Sequence, residues 1–135
     1  MQWSKTLLLA TGIAAVSAGA QAKQTICVFD IVGKSGDVYA LMKDYQLAAK
    51  TWGADIELKV GTNEAVIAED FKAGKCDGVS ITGMRGRQFN QFTGSLDAIG
   101  AITDLKLAVK VMQGLASPTF AKAMVNGKYE VVGVI

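Results

Sequence analysis

The pattern of apolar and polar residues in the first half of the chain predicts three strands separated by two helices. Residues 25–32 are β-branched and apolar almost throughout, which is typical of a strand covered on both faces. Residues 55–60 alternate between apolar and charged side chains, which predicts a strand with one wetter face at a sheet edge. Residues 78–82 form a third strand, which we expect to be central. Helical crossovers between such strands imply parallel pairing with right-handed connections.

Two helices are predicted between these strands. The first runs from Asp37 to Trp52, and the second runs from about Glu64 to Ala73, with Thr62 or Asn63 as its N-cap. Gly53 and Gly74 follow the two helices and end them. The apolar residues at helical spacing in the first helix predict a face that packs in the core: Val38, Leu41, Met42, Tyr45, Ala48, Ala49 and Trp52. The fold class is therefore α/β, a parallel-sheet lobe with flanking helices.

The second half of the chain gives shorter elements. Phe89 and Phe92 point inward from the first of them, and Ser117 caps a helix that begins at Pro118. In order, we predict a helix at 86–93 broken by Gly94, a brief strand at 97–102, a helix at 105–114 capped by Thr103 or Asp104, a helix at 118–125 and a strand at 129–135. Because a buried strand is an unusual end for a domain, we expect the chain to be a truncated lobe.

The first 22 residues have the features of a signal peptide. Lys5 precedes an apolar run from Leu7 to Val16, and Ala20-Gln21-Ala22 has the small-x-small pattern of a signal peptidase site. The run is too short to cross a bilayer comfortably, although an uncleaved N-terminal anchor is the alternative. We therefore expect cleavage after Ala22, export to a bacterial periplasm, and a mature lobe comprising residues 23–135.

Export affects the interpretation of the two cysteines, Cys27 and Cys76. An oxidising compartment favours a disulfide between them. If the strands at 25–32 and 78–82 are parallel neighbours, both cysteines lie at the same edge of the sheet and can meet. The bond would be structural rather than catalytic. The alternative is two buried thiols that act as small apolar residues.

Composition and charge exclude several classes of function. The chain has 135 residues, a net charge of +2 and no histidine. A nucleic-acid partner would need a basic face, and catalytic triads or zinc sites that use histidine have no candidate residue. The carboxylates are scattered over the predicted helices and the wetter strand face. We therefore expect no enzymatic activity, no metal and no cofactor.

The candidate chemistry lies at the carboxyl ends of the predicted strands, where α/β domains usually bind ligands. Gly33-Lys34-Ser35 resembles the end of a P-loop without its first glycine, so we interpret it as a turn whose N–H groups favour an anion. The loop after the third strand holds the chain's two arginines, which bind carboxylates bidentately. The candidate ligand-binding residues are Ser35, Thr62, Asn63, Thr82, Gly83, Arg85 and Arg87.

Each candidate also has a structural explanation. Four polar candidates could instead cap helices: Ser35, Thr62, Asn63 and Thr82. Capping is the favoured explanation for Thr62 and Asn63. The arginines could pair with a neighbouring acid or lie in solvent. Asp30 could orient an arginine across the rim or satisfy N–H groups of its own loop. Gly83 and Gly86 would let the backbone approach a ligand closely.

The motifs resemble periplasmic solute-binding proteins of the type II class. The helix exit Ala73-Gly74-Lys75-Cys76-Asp77-Gly78 is typical of that class, and the segments 94–99, 117–122 and 129–135 resemble substrate-binding subunits of tripartite ATP-independent periplasmic (TRAP) transporters. The paired cysteines and the loop 82–87 resemble a narrower, uncharacterised solute-binding family related to them. The resemblance covers only the first of two lobes. It implies a small organic acid, held in a cleft between the lobes, and membrane transporter subunits as partners. An envelope accessory protein without a small ligand is the alternative.

Overall fold

The computed structural model describes residues 22–100, 102–115 and 117–134. Its strands are β1 (Gln24–Phe29), β2 (Ile56–Gly61), β3 (Gly78–Ser80), β4 (Val125–Asn126) and β5 (Tyr129–Glu130). Its α-helices are α1 (Asp37–Lys50), α2 (Glu64–Lys72), α3 (Gly83–Gly86), α4 (Gln91–Leu96), α5 (Leu105–Leu115) and α6 (Ala121–Met124), and two short 3₁₀ helices span Gly33–Ser35 and Pro118–Phe120. The helix predicted at 118–125 is therefore a 3₁₀ helix followed by α6. The predicted signal peptide falls outside the described residues, apart from Ala22. None of these helices is long and apolar enough to cross a membrane.

The first three strands form one parallel sheet in the order β2-β1-β3, which confirms the predicted α/β class. Cys27 of β1 is in register with Lys59 of β2 on one side and with Val79 of β3 on the other. The edge position predicted for β2 is correct within this sheet. The central position predicted for β3 is wrong, because β1 is the middle strand. The crossover through α2 passes over β1 and places β3 at the opposite edge.

Both faces of β1 are covered. Cys27 and Val28 are adjacent, so their side chains point to opposite faces of the sheet, and neither has any exposed surface. On the α2 side, Cys27 packs with Ile67 and Cys76, and partly buried apolar residues of β1, α2 and β3 surround them. The disulfide between Cys27 and Cys76 lies in this cluster, with the two Cα atoms 5.8 Å apart. The predicted disulfide is confirmed, with Cys27 inside β1.

The other face of the sheet is covered by α1 only in part. Ala49 is fully buried, but Leu41 and Tyr45 are 49% and 46% exposed and Trp52 is 60% exposed. The prediction that the whole apolar stripe of this helix packs in the core is therefore wrong. A helix of 14 residues is about 21 Å long. The sheet of three short strands is too narrow to cover all the apolar side chains along this helix.

The segment after β3 differs most from the predictions. The helix expected at 86–93 is instead two helices, α3 and α4, and Gly94 lies inside α4 rather than breaking it. The strand expected at 97–102 is absent from its described residues, which follow α4 as turn and coil. The strand expected at 129–135 is limited to Tyr129–Glu130 within its described residues, and it pairs antiparallel with β4 instead of joining the main sheet.

An aromatic cluster attaches this small hairpin to α2. The rings of Phe71, Phe89 and Tyr129 lie 4.9 to 5.7 Å apart between centroids, all at steep angles to one another. Asn126 donates a hydrogen bond to the Phe89 carbonyl at 2.8 Å, and Asn90 donates one to the Ala123 carbonyl at 2.8 Å. These side chains fix the hairpin beside the loop that carries the arginines. The inward position predicted for Phe89 is confirmed, since it is buried.

Candidate functional site

Three loops at the carboxyl ends of the parallel strands lie along one rim. The loop after β1 approaches the loop after β2, because a Cβ atom placed on Gly33 would lie 3.5 Å from the Thr62 methyl group. The loop after β3 joins them through Glu64, which begins α2 and accepts a hydrogen bond from the Thr82 N–H at 2.8 Å. Parallel pairing therefore places the three candidate segments side by side, as the sequence predicts.

The loop after β1 is filled by the buried carboxylate of Asp30. It accepts hydrogen bonds at 3.0 Å from the N–H groups of Val32 and Tyr39, and the second of these belongs to the first turn of α1. Gly36 lies so close that a Cβ atom there would overlap the Asp30 carboxylate. Of the two roles considered for Asp30, the structure supports satisfying loop N–H groups. Neither of these N–H groups belongs to the turn at residues 33–35, so the anion expected there stays a prediction; Ser35 lies exposed in that turn.

The loop after β2 is occupied by helix capping. Asn63 is the N-cap of α2, and its side-chain oxygen accepts hydrogen bonds from the N–H groups of Ala65 and Val66 at 3.1 and 3.3 Å. The capping prediction for Asn63 is confirmed. Thr62 is exposed, and its methyl group lies near Gly33. Neither residue lines a depression with the arginines.

The loop after β3 is held by two carboxylates from other segments. Glu64 accepts a hydrogen bond from the Thr82 N–H, and Asp97 accepts one from the Met84 N–H at 2.7 Å. The Thr82 hydroxyl caps α3 by accepting the Arg85 N–H at 3.2 Å, and the Thr93 hydroxyl donates to the Gly83 carbonyl at 2.9 Å. The backbone of this loop is therefore tied at several points before any ligand is considered.

The glycines of this loop face α4. A Cβ atom on Gly83 would lie 2.6 Å from the Thr93 carbonyl oxygen and 2.5 Å from an Asp97 carboxylate oxygen. A Cβ atom on Gly86 would lie 2.8 Å from the Thr93 hydroxyl. The sequence suggests that these glycines let a ligand approach the backbone closely. In the structure, α4 makes that close approach.

The two arginines share a depression of about 330 Å³ lined by Met84, Arg85, Arg87 and Gln88. Arg85 is 43% exposed and forms an ion pair through its Nε atom with Glu64 at 3.5 Å, and Glu64 is 17% exposed. Arg87 is exposed and forms no ion pair with the described residues, and its aliphatic part lies over Gly94. The structure thus brings these two candidates together and gives Arg85 an internal partner.

Sequence reasoning missed the two carboxylates that hold this loop. Glu64 directly follows the predicted cap Asn63, and an acidic residue in a first helical turn usually complements the helix dipole. Its contact with a loop 18 residues further along the chain depends on strand order, which no local pattern reveals. Asp97 carries no local signal of its contact with Met84.

Other chemistry is sparse in the described residues. They contain no group of three or more histidine, cysteine or acidic side chains that could hold a metal ion. One exposed ion pair shifts the pKa values of both its members. The Lys23 ammonium lies 2.9 Å from Glu57, and their hydrogen bond and charges lower the pKa of Glu57 and raise the pKa of Lys23. This pair joins the start of β1 to β2 and lies away from the arginine loop.

Comparison with known proteins gives two matches. A family model described as "Solute-binding protein AdeT 1/2" matches residues 46–135. Over 107 residues the chain is 58% identical to a protein of Acinetobacter baumannii named "Probable solute-binding protein AdeT1", and the match covers 79% of this chain and 35% of that protein. The chain thus spans about a third of the length of this curated relative. No solved structure matches the chain significantly.

Proposed function

The chain belongs to the AdeT 1/2 family of solute-binding proteins, and from that premise we propose that it forms the N-terminal lobe of an exported receptor for small organic acids. The observation that carries this proposal is the pair of arginines in one depression on the loop after β3. Such loops at the carboxyl ends of parallel strands are the usual ligand position in α/β domains.

The charge distribution of the depression supports a carboxylate ligand. Its lining includes two guanidinium groups and no acidic side chain. Arg87 has no ion-pair partner among the described residues, and Arg85 contacts Glu64 through Nε, so that its two terminal nitrogens are still available. Guanidinium groups bind carboxylates through two parallel hydrogen bonds, which gives both affinity and orientation. Thr82, Gly83, Ser35, Thr62 and Asn63 would then shape the rim around the ligand.

We place the receptor in a periplasm. The disulfide between Cys27 and Cys76 suits an oxidising compartment, and the first residues have the pattern of a signal peptide cleaved after Ala22. The mature chain, 23–135, would be one lobe of a type II solute-binding protein. A second lobe would supply the opposite wall of the cleft, and membrane subunits of a TRAP-type transporter would receive the ligand. In this proposal the protein has no enzymatic activity and needs no cofactor.

The proposal is tested by ligand-dependent thermal stabilisation of the full-length gene product against a library of mono-, di- and tricarboxylates. At least one carboxylate should raise the melting temperature. Arg87→Gln should reduce that shift, because it removes the unpaired guanidinium. Lys59→Gln changes the net charge equally on an exposed position of β2 and should leave the shift unchanged. If no carboxylate stabilises the protein, the proposed ligand class is wrong. If a carboxylate stabilises it but both variants respond alike, the proposed site at Arg87 is wrong.

A second candidate is an envelope accessory protein that has kept the fold without a small ligand. Exposed aromatic side chains on α1 and in the turn after it favour this candidate. Tyr45 of α1 and Trp52 of the turn form an edge-to-face pair with ring centroids 6.3 Å apart, and they are 46% and 60% exposed. Exposed apolar patches of this kind mark protein contacts. Retention of a membrane partner by the wild type, lost in Tyr45→Ser/Trp52→Ser, would favour this candidate over the first.

A further inference from the structure

Glu64 lies where a bound carboxylate would compete with it. Its side chain reaches from the first turn of α2 to the loop after β3, and its two oxygens have different partners. Oε1 accepts the Thr82 N–H at 2.8 Å, and Oε2 lies 3.5 Å from Arg85 Nε. One carboxylate therefore both anchors the loop backbone and neutralises one of the two arginines that line the depression.

From this geometry, and resting on the proposed carboxylate-binding function, we propose that Glu64 is a built-in counter-ion of Arg85 that a ligand carboxylate must displace. The Glu64 contact with Arg85 is long and involves one nitrogen only, whereas its contact with the Thr82 N–H is short. A ligand can therefore take Arg85 while Glu64 keeps its hold on the backbone. Arg87, which has no such partner in the described chain, is the arginine that meets the ligand first.

The proposal assigns Glu64 a positioning and affinity-setting role. A negative charge beside the site disfavours an anionic ligand and lowers its affinity. Because Arg85 is 43% exposed, solvent screening limits the effect. Neutralising Glu64 without shortening it should therefore strengthen carboxylate binding by about three- to tenfold. Glutamine suits this purpose, since its carbonyl oxygen can still accept the Thr82 N–H.

The experiment measures succinate binding to the purified full-length protein by isothermal titration calorimetry at low ionic strength. Glu64→Gln should bind succinate about three- to tenfold more tightly than the wild type. Glu69→Gln removes the same charge from an exposed position on the same helix and should change the affinity less than twofold. In the Arg85→Gln background the gain from Glu64→Gln should disappear, because the residue that Glu64 neutralises is then absent.

A second measurement needs no ligand. Phenylglyoxal modification, followed by peptide mass spectrometry, should label Arg87 faster than Arg85 in the wild type. Glu64→Gln should raise the Arg85 rate and leave the Arg87 rate unchanged. Melting temperatures of all variants establish that each is folded under the conditions of modification.

The outcomes separate this inference from the proposed function. If the wild type binds succinate and Glu64→Gln binds it no more tightly, or if the gain persists without Arg85, the displacement is refuted while the receptor function stands. If neither protein binds any carboxylate, the receptor function fails and the displacement fails with it. The Arg85 labelling rate then still shows whether the ion pair exists, because a rate unaffected by Glu64→Gln excludes it.

Discussion

Removal of the disulfide between Cys27 and Cys76 should cost a large part of the stability of this fold. The bond closes a loop of 49 residues, and the chain-entropy relation gives about 4 kcal/mol for a loop of that length. Measured losses for native disulfides of small secreted domains are about 2–5 kcal/mol, so we expect a value in that range. Folded domains of this kind are stable by only about 5–15 kcal/mol in total.

Loss of the bond should destabilise the region around β3 in addition to lowering the free energy of unfolding of the whole domain. Cys76 lies two residues before β3, a strand of three residues that pairs only with β1 in the described sheet. Without the bond, few hydrogen bonds hold β3 against the central strand, and the arginine loop follows β3 directly. We therefore expect reduction of the disulfide to accelerate amide-proton exchange more in the loop after β3 than in α1.

The assay is equilibrium unfolding in urea of the wild type with and without reductant, compared with the Cys27→Ala/Cys76→Ala variant. The reduced wild type keeps both buried sulfur atoms. Its loss of stability therefore measures the effect of the cross-link alone, without the cavity that the alanine substitutions create. The double variant should be less stable than the oxidised wild type by about 2–5 kcal/mol and should not respond to reductant. A loss below about 1 kcal/mol in both the reduced wild type and the variant would contradict the loop-closure reasoning.

Three further predictions concern single side chains. Asp30→Ala should lower the free energy of unfolding by about 2 kcal/mol, because the Val32 N–H in the loop after β1 and the Tyr39 N–H in α1 lose their acceptor. Asp30→Asn should lower it less, and urea unfolding measures both. Gly83→Ala should cost about 1–3 kcal/mol, because α4 occupies the space of the new methyl group, whereas Gly133→Ala, in open space, should cost far less in the same assay. Glu57→Gln should lower the urea midpoint at pH 7. The pKa of Glu57 is lowered in the folded state, so the stabilisation by Lys23 is present above the unfolded-state pKa and is lost as the pH falls through the folded-state pKa. The difference between wild type and Glu57→Gln should therefore vanish in acid and shrink in high salt, and a difference that persists in acid would contradict this account.

The features that could be predicted from sequence are those set by nearby residues. Asn63 caps α2 and Ser117 caps the 3₁₀ helix Pro118–Phe120 as expected, because each side-chain oxygen and the N–H groups that donate to it are two or three residues apart. The order of strands and helices up to β3 follows from hydrophobic periodicity, and parallel pairing follows from the helical crossovers. The disulfide could be predicted because it depends on one pairing only, that of β1 with β3.

The features that could not be predicted depend on how much surface distant segments offer. The helix predicted at 37–52 carries an apolar stripe, yet Leu41 and Trp52 are exposed because the sheet beside them is narrow. Tyr129 has the composition of a strand residue, but its ring packs on Phe71 and Phe89 and holds β5 in a separate hairpin. In both cases the local sequence pattern identifies the apolar side chains correctly, but it does not show which segment of the chain covers them.

The candidate site combines both kinds of information. The arginines and glycines of residues 83–87 suggest a flexible loop that approaches a ligand, but Glu64, Asp97 and Thr93 hold its backbone from outside. A loop fixed in this way loses little conformational entropy when a ligand binds, so more of the interaction energy is available as affinity. The same contacts place one carboxylate beside Arg85, so the ordering of the loop and the weakening of its charge have a common origin in Glu64. In the proposed function, the affinity for an anion therefore depends on Glu64 of α2 as well as on the arginines.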